Sequence, residues 1–303
     1  MQTSLPSLDV PGLLRQYGLH PKKSLGQNFL IDPAALQKVV NAGGVRRTDT
    51  VLEIGPGLGS LTRHLASQAA RVIAVELDQN LIPILREVLT PFDNVEIIHG
   101  DILKLDPQIL VRESTNRQVS DIPNHSIIQS FNPQYLVIAN IPYYITSAVI
   151  RHLLESGHPP ARLVLTVQRE VAKRICANPP DMSLLALSVQ VYGQPVIAAH
   201  IPASAFYPPP KVDSAVVRID LYPEPRLPRP HLDTFFKLIK AGFSQKRKTL
   251  HNALSAGLSL PKEQIDSLLS IAGIASIRRA ETLALEEWNR LVEAINEYED
   301  RQP

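Results

Sequence analysis

The first candidate ligand site in the sequence is a glycine-rich loop followed by a carboxylate. Gly55, Gly57 and Gly59 come after a short apolar run and before a run of helix-forming residues. Glycines in such a turn let the backbone approach a ligand without a side-chain clash. Glu76 lies about 20 positions later, where a carboxylate at the end of the next strand can accept hydrogen bonds from both hydroxyls of a ribose. This spacing predicts a site for a ligand that contains a nucleoside.

Ser60 argues against one class of nucleoside ligand. The dinucleotide fingerprint G-x-G-x-x-G, started at Gly55, needs its third glycine where this chain has Ser60. The loop therefore disfavours a nicotinamide-dependent dehydrogenase.

Two further polar positions follow apolar runs. Asp101 comes after the third run, and its carboxylate could hold the amino group of a nucleobase, although a turn or helix-cap aspartate has the same pattern. Residues 140–143, Asn-Ile-Pro-Tyr, follow the fourth run. They combine a side-chain carbonyl, backbone carbonyls held by a rigid proline turn and an aromatic ring. Such a set can grip a planar amine.

The elements that must position these residues alternate between strands and helices. We expect strands at 51–54, 72–75, 95–98, 135–139 and 163–167. Helices are expected at 33–42, where Asp32 is a suitable cap, and at 61–70, 80–89 and 146–155, the last capped by Thr146. This alternation predicts a parallel, doubly wound sheet, whose ligands bind at the carboxyl ends of the strands. Residues 1–30 are expected to be loop-like, and residues 104–134 to be a surface insertion.

The second half of the chain changes character after a proline-rich stretch. A helix at 182–192 and strands at 196–201 and 215–221 precede a linker at 222–230, which holds four prolines. The pattern beyond it is helical, at 231–243, 249–256, 262–272 and 285–297. We therefore expect two domains, 1–224 and 225–303.

Composition and charge exclude several classes of protein. The 303 residues include 44% hydrophobic residues and carry a net charge of +2, which indicates an ordinary globular chain. Because Cys176 is the only cysteine, an internal disulfide and a multi-cysteine metal site are excluded. We expect no membrane span, no secretory signal and a cytoplasmic location. The positive charges cluster in short runs, which suits local contacts with phosphate.

The motifs together resemble a known family. Within the class I methyltransferases that use S-adenosylmethionine, the chain is similar to the small-subunit ribosomal RNA adenine dimethyltransferases. The matching segments are 22–30 (KKSLGQNFL), 53–59 (EIGPGLG), 100–101 (GD), 140–144 (NIPYY), 206–216 (FYPPPKVDSAV) and 243–248 (FSQKRK). The insertion at 104–134 is longer than we expect for this family. The resemblance implies a Rossmann-like methyltransferase sheet with a small, all-helical C-terminal domain that binds RNA.

The resemblance also assigns roles to residues. The cofactor-binding positions are Asn28, Leu30, Gly55, Glu76, Asp101 and Asn140. The catalytic positions are Asn140, Ile141, Pro142, Tyr143 and Phe206, with Tyr143 and Phe206 expected to sandwich the target base. The positions expected to contact RNA phosphate are Lys22, Lys23, Lys246, Arg247 and Lys248; the last three are called the basic triplet below.

The implied reaction is dimethylation of the 6-amino groups of two adjacent adenosines in a hairpin loop near the 3′ end of 16S rRNA, during small-subunit biogenesis. We expect S-adenosylmethionine as methyl donor, no metal, the pre-30S particle as partner, no membrane partner and a monomeric protein. The Asn140 oxygen and the Ile141 carbonyl would accept the two amine hydrogens and localise the lone pair of the nitrogen.

Two alternatives remain open from the sequence. A related large-subunit rRNA adenine methylase shares the Asn-Pro-aromatic turn, although segment 206–211 favours the small-subunit enzyme. A non-catalytic RNA-binding assembly factor could keep the same fold, although the intact polar set at 76, 101 and 140–143 argues against it.

Overall fold

The computed structural model describes residues 5–116 and 134–299. The chain divides into two compact units. Unit 1 comprises Met1–Ala172 and Val196–Leu221, and unit 2 comprises Lys173–Pro195 and Tyr222–Pro303. The break after Leu221 lies close to the expected boundary at residue 224. Residues 173–195, however, belong to the helical unit, whereas the sequence assigned them to the first domain.

The main feature of unit 1 is a seven-stranded sheet. The strands assigned within the described residues are β1 (Phe29–Leu30), β2 (Thr50–Ile54), β3 (Arg71–Glu76), β4 (Val95–His99), β5 (Tyr135–Asn140), β6 (Arg162–Gln168), β7 (Gly193–Ile201), β8 (Phe206–Tyr207) and β9 (Ser214–Leu221). The sheet has the order β4-β3-β2-β5-β6-β9-β7, and β1 pairs with β8 in a separate two-stranded sheet. The five expected strands of the alternating region are all present.

The direction of the strands follows the prediction over most of the sheet. The strands from β2 to β6 are joined by parallel pairings. Strand β9 runs antiparallel to β6, with Leu163 opposite Ile219 and Leu165 opposite Val217. The parallel sheet predicted for the five alternating strands is therefore confirmed, and β9, which comes after that alternating region, adds an antiparallel strand to it.

Seven helices are assigned in the described part of the chain up to residue 175. They are α1 (Val10–Gln16), α2 (Pro33–Gly43), α3 (Ser60–Ala66), α4 (Ile82–Leu89), α5 (Pro107–Asn116), α6 (Thr146–Leu154) and α7 (Arg169–Ile175). Helix α2 begins as the sequence predicts, because the Asp32 side chain accepts a hydrogen bond from the backbone N–H of Ala35 at 2.7 Å. The left-handed Gly44 ends it.

Three local predictions differ from the structure. Helix α1 lies in the segment expected to be loop, where buried Val10 and Leu14 anchor it and Asp9 caps it. Thr146 is the first residue of α6 rather than its cap, and no side chain caps that helix. Helix α5 occupies the start of the segment expected to be an insertion. The remainder of that predicted insertion, residues 117–133, lies outside the described residues.

Unit 2 is built from five helices assigned within the described residues. They are α8 (Leu184–Gln190), α9 (Leu232–Phe243), α10 (Leu250–Leu258), α11 (Lys262–Ile271) and α12 (Leu285–Glu299). Their apolar faces surround the buried ring of Trp288, which is stacked on Phe243. The basic triplet lies exposed in the turn between α9 and α10. The expected helical pattern of this region is confirmed.

Candidate active site

An open cleft of about 830 Å³ lies at the carboxyl ends of β2, β3 and β5. Most of the predicted cofactor and catalytic residues line it, namely Asn28, Gly55, Glu76, Asp101 and the turn 140–143. The fold therefore brings together residues as far apart in sequence as Asn28 and Asn140, which are separated by 112 positions.

The glycine loop after β2 allows close approach at two positions. Gly55 and Gly57 both have left-handed backbones, with φ values of 68° and 60°. A Cβ atom on Gly57 would lie 2.8 Å from Cδ1 of Phe29, which is itself part of the wall of the cleft. Glycine at position 57 is thus required both by backbone conformation and by the aromatic wall.

The carboxylate of Glu76 is fixed by two backbone groups. One oxygen accepts a hydrogen bond from the N–H of Gly57 at 2.9 Å, and the other accepts one from the N–H of Asp78 at 2.7 Å. Burial raises the pKa of Glu76, and these hydrogen bonds oppose that rise. Because a carboxylate has about four acceptor positions, each oxygen keeps capacity for one further donor. That remaining capacity fits the two hydroxyls of a ribose.

Asp101 combines a capping role with an available oxygen. Its Oδ1 accepts a hydrogen bond from the N–H of Leu103 at 3.1 Å, at the start of a 3₁₀ turn. The sequence left open whether this aspartate is a cap or a ligand group. The geometry accommodates both, because Asp101 also lines the cleft.

The amide of Asn140 is oriented by the opposite wall of the cleft. Its Nδ2 donates a hydrogen bond to the backbone oxygen of Asn28 at 3.0 Å. Since the donor end of the amide is held in this way, Oδ1 is the end that can accept a hydrogen bond from a ligand. Strand β5 ends at Asn140, and the buried Ile141 and the turn at Pro142 follow directly.

Two neighbouring tyrosines differ in their surroundings. The hydroxyl of Tyr143 is 2.7 Å from Oγ of Ser214, a fully buried residue at the start of β9. Burial raises the pKa of Tyr143, and the bond with Ser214 opposes that rise. Tyr144 is 62% exposed, and both tyrosines line the cleft.

A second buried carboxylate lies beside the glycine loop. Glu53 in β2 is 1% exposed, and its Oε2 has no hydrogen-bond partner within the described part of the chain. Burial raises the pKa of Glu53 to about 8, and the nearby charge of Glu76 adds to the rise. Glu53 therefore holds its proton at neutral pH.

Comparison with known proteins assigns the chain to a family. A family model described as "Ribosomal RNA adenine dimethylase" matches residues 18–297. The chain belongs to the ribosomal RNA adenine dimethylase family. As a member it methylates adenine in ribosomal RNA, with S-adenosylmethionine as the methyl donor.

Individual adenine dimethylases and related enzymes resemble the chain over most of its length. A "Ribosomal RNA small subunit methyltransferase A" from Dehalococcoides mccartyi (strain CBDB1) is 46% identical over 290 residues, which cover 95% of this chain and 94% of that protein. The protein of the same name from Alkaliphilus metalliredigens (strain QYMF) is 40% identical and covers 93% and 94%.

Two solved structures are similar in fold. A dimethyladenosine transferase from Plasmodium falciparum has a TM-score of 0.73 at 26% identity and covers 89% of this chain and 98% of its own. The 23S rRNA methyltransferase ErmE has a TM-score of 0.67 at 26% identity, with coverages of 89% and 100%. These likenesses confirm the predicted class I methyltransferase fold.

Two residues that the adenine dimethylase resemblance assigned to the site lie in the core instead. Leu30 and Phe206 are opposite each other in the β1–β8 pair, and each is 3% exposed. Neither belongs to the wall of the cleft. The expected sandwich of a base between Tyr143 and Phe206 is therefore wrong for this structure. Phe206 packs among aliphatic residues, because both short strands direct apolar side chains into one cluster.

Sequence reasoning missed a partly buried ion pair next to the site. Asp78 is 5% exposed, and its Oδ1 accepts a hydrogen bond from Nζ of Lys22 at 2.7 Å. Lys22 was predicted to contact RNA phosphate, but its ammonium group is engaged by Asp78. Its neighbour Lys23 is exposed. No local signal in the sequence marks this pair, because the two residues are 56 positions apart.

The cleft also has apolar walls that the sequence did not single out. Leu77, which is 45% exposed, and Ile102 belong to its lining, as does Phe29. Apolar side chains next to Glu76 and Asp101 suit the flat face of a purine. Among the residues that the structure describes, no group of three or more His, Cys, Asp or Glu side chains could hold a metal ion. No helix within the described ranges is long and apolar enough to cross a membrane.

Proposed function

We propose that this adenine dimethylase modifies two adjacent adenosines in a hairpin loop near the 3′ end of small-subunit rRNA. The relatives at 46% and 40% identity are both named small-subunit methyltransferases, and each matches this chain over nearly its full length. These names support small-subunit RNA over large-subunit RNA as the substrate. The enzyme would act as a monomer on the pre-30S particle in the cytoplasm.

The proposed cofactor position follows the polar groups of the cleft. Glu76 would accept hydrogen bonds from the ribose hydroxyls, and Asp101 would bind the amino group of the cofactor adenine. Asn28 and Gly55 would surround the methionine end. This arrangement is supported by the remaining acceptor capacity of Glu76 and by the left-handed glycine loop beneath the cleft.

The observation that carries the proposed chemistry is the orientation of Asn140. With Nδ2 held by Asn28, Oδ1 can accept one hydrogen of the adenine 6-amino group, and the backbone carbonyl of Ile141 can accept the other. These two acceptors would localise the nitrogen lone pair and stabilise the positive charge that develops on the amine during methyl transfer. The carbon–sulfur bond breaks as the carbon–nitrogen bond forms, and the proton leaves to water afterwards.

The second methylation uses the same groups with one fewer hydrogen bond. After the first transfer the amine keeps one hydrogen, so only one of the two acceptors can still be engaged. We therefore expect the two steps to respond differently to loss of the Asn140 oxygen.

The target base must leave its stack to reach this position. Tyr143 is the member of the predicted aromatic pair that lines the cleft, and its hydroxyl is fixed by Ser214. Stacking on such a ring contributes ~1–3 kcal/mol per base. The exposed basic triplet and Lys23 would contact RNA phosphates, whereas Lys22 is engaged by Asp78.

The test is a methylation assay with labelled S-adenosylmethionine on immature small subunits and, separately, on protein-free large-subunit RNA, with products identified by mass spectrometry. Dimethyladenosine in the small-subunit RNA supports the proposal, and methylation of large-subunit RNA alone would establish the competing function. Asn140→Ala should lower the rate about 10²-fold or more and change the ratio of mono- to dimethyl product. The exposed Asn41→Ala on α2 is the matched control, and unchanged rates for both steps in Asn140→Ala would exclude the mechanism.

A further inference from the structure

A closed ring of hydrogen bonds joins three residues beside the cleft. Asp78 Oδ1 accepts from Nζ of Lys22 at 2.7 Å, and Asp78 Oδ2 accepts from Nε2 of Gln27 at 2.9 Å. The ring closes because Gln27 Oε1 accepts from the backbone N–H of Lys22 at 2.8 Å. Asp78 is also the side-chain cap of a 3₁₀ turn, where it accepts from the N–H of Asn80.

The ring lies between two groups that the reaction uses. On one side the backbone N–H of Asp78 donates to Oε1 of Glu76, the residue assigned to the ribose. On the other side, Gln27 is followed directly by Asn28, whose backbone carbonyl accepts a hydrogen bond from Nδ2 of Asn140. A shift of segment 22–28 would therefore move both the wall of the cofactor site and the group that orients Asn140.

The hydrogen bonds of the ring favour the charged form of Asp78. Burial alone would raise the pKa of Asp78, but the hydrogen bonds from Lys22 and Gln27 outweigh burial and lower it. The side chain of Asp78 is 4% exposed, whereas that of Lys22 is 40% exposed. Removing the ammonium would leave the Asp78 carboxylate with its hydrogen bonds from Gln27 and Asn80 but without its counter-charge, which weakens the attachment of segment 22–28. The segment would then have to move or admit water.

We propose that Lys22, Gln27 and Asp78 form a clamp that holds segment 22–28 against the cofactor site, so that the affinity for S-adenosylmethionine depends on the Lys22–Asp78 pair. The three are positioning residues, because they act through Glu76 and Asn140. The inference rests on the proposed cofactor site, and it replaces the predicted role of Lys22 at RNA phosphate.

Adjacent lysines provide the matched comparison. In Lys22→Met the stem remains but the ammonium is lost, and we expect the Kd and KM for S-adenosylmethionine to rise on the order of tenfold, a usual size for coupling between linked sites. RNA affinity and its salt dependence should stay unchanged. In Lys23→Met we expect the reverse, with weaker RNA binding and an unchanged Kd for S-adenosylmethionine.

Two further variants separate a clamp from a merely structural pair. Lys22→Arg keeps the charge and should retain affinity near that of the wild type. Asp78→Asn keeps the size of the side chain, but its amide cannot accept from both Lys22 and Gln27. Because both changes break the same ring, Lys22→Met combined with Asp78→Asn should weaken cofactor binding no more than the worse single variant.

Calorimetric titration with S-adenosylmethionine alone, and steady-state methylation with varied RNA, give the readouts. Loss of RNA affinity in Lys22→Met with an unchanged cofactor Kd would overturn the clamp and restore the phosphate contact. A lower midpoint of unfolding with an unchanged cofactor Kd would also overturn it, since the pair would then be structural only. If the wild-type protein does not bind S-adenosylmethionine, the proposed cofactor site fails and the clamp fails with it.

Discussion

Replacing Gly57 with alanine tests whether the glycine loop and the aromatic wall fit as closely as the structure indicates. The added Cβ would lie 2.8 Å and 2.9 Å from two ring atoms of Phe29, at a backbone φ of 60°. Gly18 is the matched control, because its φ is 63° and no atom lies within 4 Å of the corresponding Cβ. Both belong to unit 1.

Both variants place alanine in a left-handed backbone conformation, but only Gly57→Ala also crowds a neighbouring ring. A left-handed alanine costs ~1–2 kcal/mol, and the reduced freedom of the unfolded chain offsets ~0.4–1 kcal/mol of this. Gly18→Ala should therefore lower the free energy of unfolding by about 1 kcal/mol. Gly57→Ala must also displace the Phe29 ring, which adds ~1–3 kcal/mol for overpacking, and it should weaken cofactor binding.

Urea unfolding followed by circular dichroism measures this difference, with the slope checked for each variant. The fluorescence of Trp288, the sole tryptophan, reports separately on unit 2. Equal losses of stability in Gly57→Ala and Gly18→Ala, with an unchanged cofactor Kd in both, would refute the close fit of Gly57 against Phe29.

Three further predictions follow from the described contacts. Burial raises the pKa of Glu53 to about 8 in the folded protein, so the contribution of Glu53 to the free energy of unfolding should fall as pH rises from about 4.5 to 8, with a slope approaching ~1.4 kcal/mol per pH unit. The difference in unfolding free energy between wild type and Glu53→Gln across that pH range checks this prediction, and a pH-independent difference would contradict it. Ser214→Ala should raise the KM for RNA about as much as Tyr143→Phe, because each variant removes the hydrogen bond between the two hydroxyls. Tyr143→Ala should raise the KM further because it also removes the ring. A Ser214→Ala enzyme with the wild-type KM would show that this hydrogen bond does not position the Tyr143 ring. Changing the basic triplet to glutamate should weaken RNA binding and flatten its salt dependence, while a simultaneous loss of cofactor binding would indicate misfolding instead.

Most of unit 1 could be predicted because its signals are local. The strands end in glycine, acid or amide, and the carboxyl ends of parallel strands meet at one edge, so Gly55, Glu76 and Asn140 were expected to converge. Helix α2 was equally predictable from the sequence, since Asp32, Pro33 and Gly44 mark its ends. In each case the determining interaction lies within a few residues or follows from the topology of parallel strands.

The remaining features depend on interactions that a linear pattern does not contain. Helix α1 is held by the burial of Val10 and Leu14 rather than by helix propensity, and it contains Pro11 and Gly12. The burial of Phe206 follows from pairing between β1 and β8, which are far apart in sequence. Asp78, the partner of Lys22, is likewise distant in sequence. The basic pair at 22–23 therefore gave no indication that one of its lysines forms an ion pair.

The interleaving of the two units along the chain has a consequence for any attempt to isolate them. Unit 2 takes one of its helices, α8, from a stretch that precedes β9 of unit 1. A fragment ending near residue 224 would carry the apolar face of α8, including Ala186 and Leu187, without the later helices that complete its core. Such a fragment would expose an apolar surface and would therefore aggregate. A minimal version of unit 1 would instead require removing the part of residues 173–195 that precedes β7 and rejoining the cut ends with a short designed loop.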